Sequence, residues 1–287
     1  MNDAIKGMLA NYKCQTPSDY KNALKEIIQE VALLGLSRQG FFRSAAFYGG
    51  TALRIAHKLD RFSEDLDFTL LKANKSFKLD PYFKGLEEEF QSYGLRLHAE
   101  KIEKENESVV DSAFLKGNTL LHMMMVEGLE NPNSGTNKNE VLKIKFEIDT
   151  DPPLVAGQSE VRIHNNPIPF EYSILKLSSL YAGKVHALLC RSWNGGRIKG
   201  RDFYDFVWYR KKNIELDLPY LEAKLRQSGH YSKIETLTHD AVNNLLKRKF
   251  DEVNWEMAKK DVAPFIKDPF ALKPWSKDFF VELISSR

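Results

Sequence analysis

The stretch Phe47–Leu71, FYGGTALRIAHKLDRFSEDLDFTLL, decides how the rest of the chain is read. Ala45–Tyr48 is short and apolar enough for a buried strand. Gly49 and Gly50 follow it, where the backbone must turn tightly or come close to a ligand. Thr51 is a fair N-cap for a helix over Ala52–Leu59, whose Leu53, Ile55, Ala56 and Leu59 face a core. A polar loop then leads to a second strand. There Asp65, Asp67 and Thr69 share one face, and Leu66, Phe68 and Leu70 the other.

Two carboxylates on one strand face repel each other unless a cation or a proton lies between them. Mg²⁺ usually takes one or two carboxylates together with substrate phosphates. A glycine turn at a helix start also offers N–H groups to a phosphate. The segment therefore suits a metal–nucleotide site, although D-x-D alone also suits a solvated acidic strand end.

Working outward, Thr16-Pro17-Ser18-Asp19 begins a packing helix with Leu24, Ile27, Ile28, Val31 and Leu34 at helical spacing, closed by Gly35. Pro81–Tyr93 reads as a helix, Leu95–Ala99 as a half-exposed strand, and Lys101–Glu107 as a charged turn. Thr119–Val126 is a strand in which Met123, Met124 and Met125 are core filler. Asn131–Glu140 is a hairpin loop. Val141–Asp149 alternates again, with Ile144, Phe146 and Ile148 on one face and Lys143, Lys145, Glu147 and Asp149 on the other.

Prolines over Val161–Phe170 suit a connector. We place a boundary near residue 165, between a domain over 1–165 and a helical one over 166–287. Glu171–Arg191 carries apolar residues at helical spacing, with Lys184 and His186 in its middle; His186 and His57 read as packing or exposed histidines. Arg191, Arg197, Lys199, Arg201, Arg210, Lys211 and Lys212 are interleaved with Trp193, Trp208 and Tyr209. Such a mixture suits a phosphate backbone and unstacked bases. From Leu216 on the pattern is helical, and Trp275, Phe279 and Phe280 dock the tail.

The GG turn and D-x-D pair resemble the signature of the polymerase-beta-like nucleotidyltransferase superfamily. More closely, GGTAL…RFSEDLDF, K-x-H-A-L at Lys184 and R-D-x-x-D at Arg201–Asp205 are similar to the AbiEii/AbiGii-type toxins of type IV toxin–antitoxin systems. The resemblance implies an α+β fold, a mixed sheet flanked by helices with a helical domain completing the cleft. It implies an NTP-dependent nucleotidyltransferase in which Asp65 and Asp67 hold one or two Mg²⁺ ions. Gly49, Gly50, Thr51 and Ser63 contact the nucleotide, Lys184 offsets phosphate charge and Asp202 completes the site, with Asp205 as its helical neighbour. Glu147, set between Phe146 and Ile148, is similar to the superfamily's third carboxylate, as metal ligand or base; Asp149 and Asp202 are its rivals. Implied partners are RNA, especially a tRNA 3′ end, and a cognate antitoxin. Alternatives are transfer to a small, antibiotic-type molecule, or a noncatalytic nucleotide-binding protein of the same fold.

Composition sets the bounds. The chain has 287 residues, 43% hydrophobic and 28% charged, ordinary for a globular protein with a sizeable core. A net charge of +3 demands a local basic face for any nucleic-acid contact. Cys14 and Cys190 supply no disulfide framework. There is no long apolar segment at the start or elsewhere, so a cytoplasmic protein without membrane partners is expected.

Overall fold

Alternation along the strands builds one mixed sheet. The computed structural model describes residues 2–102, 119–129, 140–155, 157–191 and 198–285. Its strands are β1 (Ala45–Tyr48), β2 (Leu66–Leu70), β3 (Arg96–Lys101), β4 (Thr119–Leu129), β5 (Glu140–Asp149), β6 (Ser159–His164) and β7 (Phe170–Leu175). These seven lie side by side in the order β3-β4-β5-β2-β1-β7-β6. β2 runs antiparallel to β1, pairing Asp67 with Tyr48, and parallel to β5, pairing Asp67 with Glu147. Phe47, Phe68 and Phe146 are fully buried on neighbouring strands, with ring centroids 5.5 and 5.7 Å apart along the row. Burying these rings turns Asp67 and Glu147 to the opposite face.

Helix α1 (Asp3–Ala10) precedes α2 (Pro17–Arg38), which begins with a reciprocal cap. The Thr16 hydroxyl accepts from the Asp19 N–H at 3.1 Å, and the Asp19 carboxylate accepts from the Thr16 N–H at 3.0 Å. Gly35 does not close this helix. It sits inside, where a Cβ would stand 3.0 Å from Leu86 of α4 (Asp80–Ser92), so it serves a close helix crossing. Helix α3 (Gly49–His57) starts at the glycines, not after Thr51.

The sheet also outlasts the expected boundary at residue 165. β6 and β7 occupy the supposed connector, and β7 pairs with β1 through Ile174 and Phe47. The prolines Pro167 and Pro169 sit between these strands, where no ladder N–H is needed. Residues 171–175, expected to be helical, are therefore strand. Helix begins with α5 (Leu177–Cys190) and continues through α6 (Gly200–Lys211), α7 (Leu218–Gln227), α8 (His239–Asp251), α9 (Trp255–Val262) and α10 (Lys277–Ser285). The tail docks as its aromatics suggest: Phe280 is fully buried, stacked on Trp255 at 4.5 Å, and Trp275 is 3% exposed. Among the described residues no helix is long and apolar enough to cross a membrane. Residues 103–107 of the charged turn, 131–139 of the hairpin loop, and Trp193 and Arg197 of the basic loop lie outside the described residues.

Candidate active site

The glycine turn and the second aspartate are built around each other. Gly49 has φ of +83°, and a Cβ there would lie 2.1 Å from the Asp67 Oδ2. A Cβ on Gly50 would lie 2.7 Å from the Arg61 Nη2 and 2.9 Å from the Ser63 Oγ. Tyr48, which precedes the first turn of α3, gives it no side-chain cap. That leaves an open helix N-terminus of the kind that attracts phosphate. Thr51 is 0% exposed and its hydroxyl donates to the Asp65 carbonyl, so it supports the site from behind and does not line the cleft.

Asp65 lies immediately before β2, Asp67 within it, and Glu147 beside Asp67 on β5. The side-chain carboxylates of Asp65 and Asp67 take no hydrogen bond or ion pair among the described residues. Burial raises the Asp65 carboxyl, helped by the charge of Glu147; burial raises Asp67 well above the carboxylate range, and Glu147 and Asp65 push it further. The charge of a bound cation would oppose both shifts. Among the described residues no three His, Cys, Asp or Glu side chains form a ready metal cage. Two carboxylates facing one cleft supply a donor set that a divalent cation could share with substrate oxygens. Glu147 meets Lys145 at 2.9 Å, whereas Asp149 lies 3.6 Å from Lys224 and accepts from the Asp151 N–H at 3.1 Å. Of the two, Glu147 is the one in register with Asp67.

Across the same cleft, of about 360 Å³, α5 and α6 present a buried ion network. The Lys184 ammonium lies 2.7 Å from Asp202 and 2.8 Å from Asp205. Asp202 is also paired with Arg191. Asp205 receives two parallel bonds of 2.6 Å from Arg61, which is 2% exposed. Burial lowers Lys184, and the charge of Asp205 opposes that. Burial also raises Asp205, yet Arg61 and Lys184 outweigh it and hold the carboxyl below its ordinary range. The Lys184 side chain is thus held at the cleft by two helix carboxylates one turn apart.

The sheet half of the chain contributes Gly49, Gly50, Ser63, Asp65, Asp67 and Glu147 to the lining of this cleft, and the helices contribute Lys184 and Asp202. Arg61 was missed in the sequence, although it stands inside RFSED. It follows Asp60, and that charged local pattern does not mark it as the 2% exposed residue it is, whose buried charge demands a partner. Lys224, another cleft residue, carried no local signal.

The basic–aromatic cluster divides. Arg191, Lys199 and Arg201 line the cleft, and Arg201 also reaches Glu64 at 3.1 Å and covers Phe265 at 4.3 Å. Tyr209 instead stacks on Tyr181 at 4.5 Å inside the core, and Arg210 donates to the Leu283 carbonyl at 3.1 Å. Tyr209 borders the cleft but is 1% exposed, and Trp208, which lies under Lys212, is not among the residues that line it. His186, expected to pack or to face solvent, is buried 3.0 Å from the Ser228 hydroxyl and also borders the cleft.

Comparison with known proteins bears on this geometry. A family model described as the nucleotidyl transferase AbiEii toxin of type IV toxin–antitoxin systems matches residues 31–282. No curated protein matches the chain. In fold the chain is similar to MenT4, a nucleotidyltransferase toxin from Mycobacterium tuberculosis H37Rv, with 14% identity, 98% of this chain and 90% of that chain covered, and a TM-score of 0.54. It also overlaps JHP933 from Helicobacter pylori at 17% identity, 92% and 88% coverage and a TM-score of 0.47.

Proposed function

The chain belongs to the AbiEii family of nucleotidyltransferase toxins of type IV toxin–antitoxin systems, and on that premise we propose that it transfers a nucleotide from a nucleoside triphosphate to an RNA acceptor such as a tRNA 3′ end. The observation that carries the chemistry is that the Asp65 and Asp67 carboxylates and the Lys184 side chain line one cleft. Asp65 and Asp67 would hold Mg²⁺, with Glu147 beside them. Bound there, the ion would activate the attacking hydroxyl and offset charge on the leaving oxygen.

The protein's own groups do the rest. The N–H groups of Gly49 and Gly50 face the triphosphate, with Ser63 beside them. The acceptor hydroxyl oxygen bonds to the α-phosphorus as the bond to the β-phosphate oxygen breaks, and pyrophosphate departs toward Lys184. The hydroxyl proton passes to a carboxylate. Glu147 suits that role better than Asp202, whose oxygens are engaged by Lys184 and Arg191. Arg191, Lys199 and Arg201 at the cleft favour an acceptor that carries phosphates. The family also implies a cognate antitoxin as a partner.

Incubation with total RNA, Mg²⁺ and each labelled triphosphate in turn tests the proposal. Wild type should label RNA, and Asp67→Ala should lower the rate by about a hundredfold or more. If wild type binds nucleotide yet labels no RNA, the RNA reading is wrong.

A further inference from the structure

The loop that delivers Asp65 is gripped from beneath by one side chain of α2. Gln29 is 0% exposed, and its carboxamide nitrogen donates to the Ser63 carbonyl at 3.1 Å and the Glu64 carbonyl at 2.9 Å. In an extended chain successive carbonyls point opposite ways, so one amide reaching both demands a curl at these residues. The next carbonyl, that of Asp65, accepts from the Thr51 hydroxyl. Three consecutive carbonyls are thus tied to buried side chains immediately before β2 begins. One helical turn from Gln29, Lys25 pairs with the Glu64 side chain at 2.7 Å, and Arg201 of α6 meets the same carboxylate at 3.1 Å.

We propose that Gln29 is the positioning residue for the metal-binding strand end: with Thr51 it curls residues 63–65 so that the Asp65 carboxylate stands beside Asp67. The inference rests on the reading of those two aspartates as ligands of a divalent cation. Gln29 itself lies outside the cleft lining and touches neither metal nor substrate. Its effect passes through the backbone, as outer partners of metal ligands generally act. Because Gln29 is fully buried, removing its amide takes a donor from both carbonyls at a position closed to solvent.

Binding of Mn²⁺, standing in for Mg²⁺, to the full chain separates positioning from packing. The free-ion signal is followed by electron paramagnetic resonance, and thermal melting is recorded in parallel. Gln29→Met keeps length and volume but removes both donated bonds, and should raise the Mn²⁺ Kd about tenfold or more. Glu30→Gln, which alters the neighbouring buried pair with His164 at 2.9 Å, should lower the melting temperature and leave the Mn²⁺ Kd unchanged. An unchanged Kd in Gln29→Met overturns the inference, as does an equal loss in Glu30→Gln. If the methionine variant does not fold, Gln29→Asn, one methylene too short to reach both carbonyls, must show the weakened binding; unaltered affinity there overturns the inference too. Wild type that binds no Mn²⁺ removes the metal reading itself, and the inference with it, an outcome distinct from equal binding by wild type and variant.

Discussion

Gly49 meets two demands at once. Its φ of +83° is one that a side chain resists, and the space a Cβ would fill belongs to the Asp67 carboxylate. Gly49→Ala should therefore cost about 1–2 kcal/mol of stability from backbone strain. It should cost far more activity, because the methyl must push Asp67 from its place next to Asp65. Urea unfolding and labelled transfer measured together check this; a variant as active as wild type would show that the close approach is dispensable. The turn itself was legible, since paired glycines before a helix have few other uses. That Asp67 occupies the vacated space was not, because the two residues meet only through the pairing of β1 with β2. Thr51 shows the same limit. A threonine after two glycines suits an N-cap, but the helix reached back to Gly49, and the hydroxyl turned to the Asp65 carbonyl instead.

Between elements, α6 and α9 cross closely at a glycine. A Cβ on Gly200, the first residue of α6, would lie 1.8 Å from the Ala258 carbonyl oxygen. Because backbone cannot give way as a flexible side chain does, Gly200→Ala should force the helices apart and destabilise the protein by about 2–3 kcal/mol. The same displacement should draw Asp202 and Asp205 from Lys184, so weakened triphosphate binding should accompany the lower urea midpoint. A substitution without effect on either measurement would mean that α9 does not clamp α6. Strands with clean alternation, such as β5, and the long periodic helix α2 were readable because period alone separates their faces. β6 and β7 were not. Prolines between them resemble a linker, and β7 carries apolar residues that fit either a buried strand or the helix after it.

Over the whole molecule, Arg61 and Asp205 tie the strand-bearing half of the chain to its helices across 144 residues. Arg61→Met leaves the fully buried Asp205 with Lys184 as its main partner and should cost roughly 3 kcal/mol at neutral pH, measured by urea unfolding. The sign with pH follows from the depressed Asp205 pKa. Its ionised form favours the fold, a contribution complete above the unfolded value of about 4 and lost as pH falls through the lower folded value. Without Arg61 the carboxyl should titrate higher, so the variant's acid transition should begin at a higher pH than that of wild type. Coincident acid limbs would show that the guanidinium does not hold Asp205 ionised. By itself the sequence determined the glycine turn and the alternation that sets Asp67 and Glu147 on the polar faces of their strands, which depend on local backbone period and short spacings. The resemblance to a family, rather than spacing, singled out Lys184 and Asp202. Only the tertiary structure decided that Asp202 and Asp205 both grip Lys184, that Arg61 closes the network, and that Gln29 stands beneath Asp65. Such pairings are chosen where burial removes water and leaves each charge or amide to find its partner from a distant part of the chain.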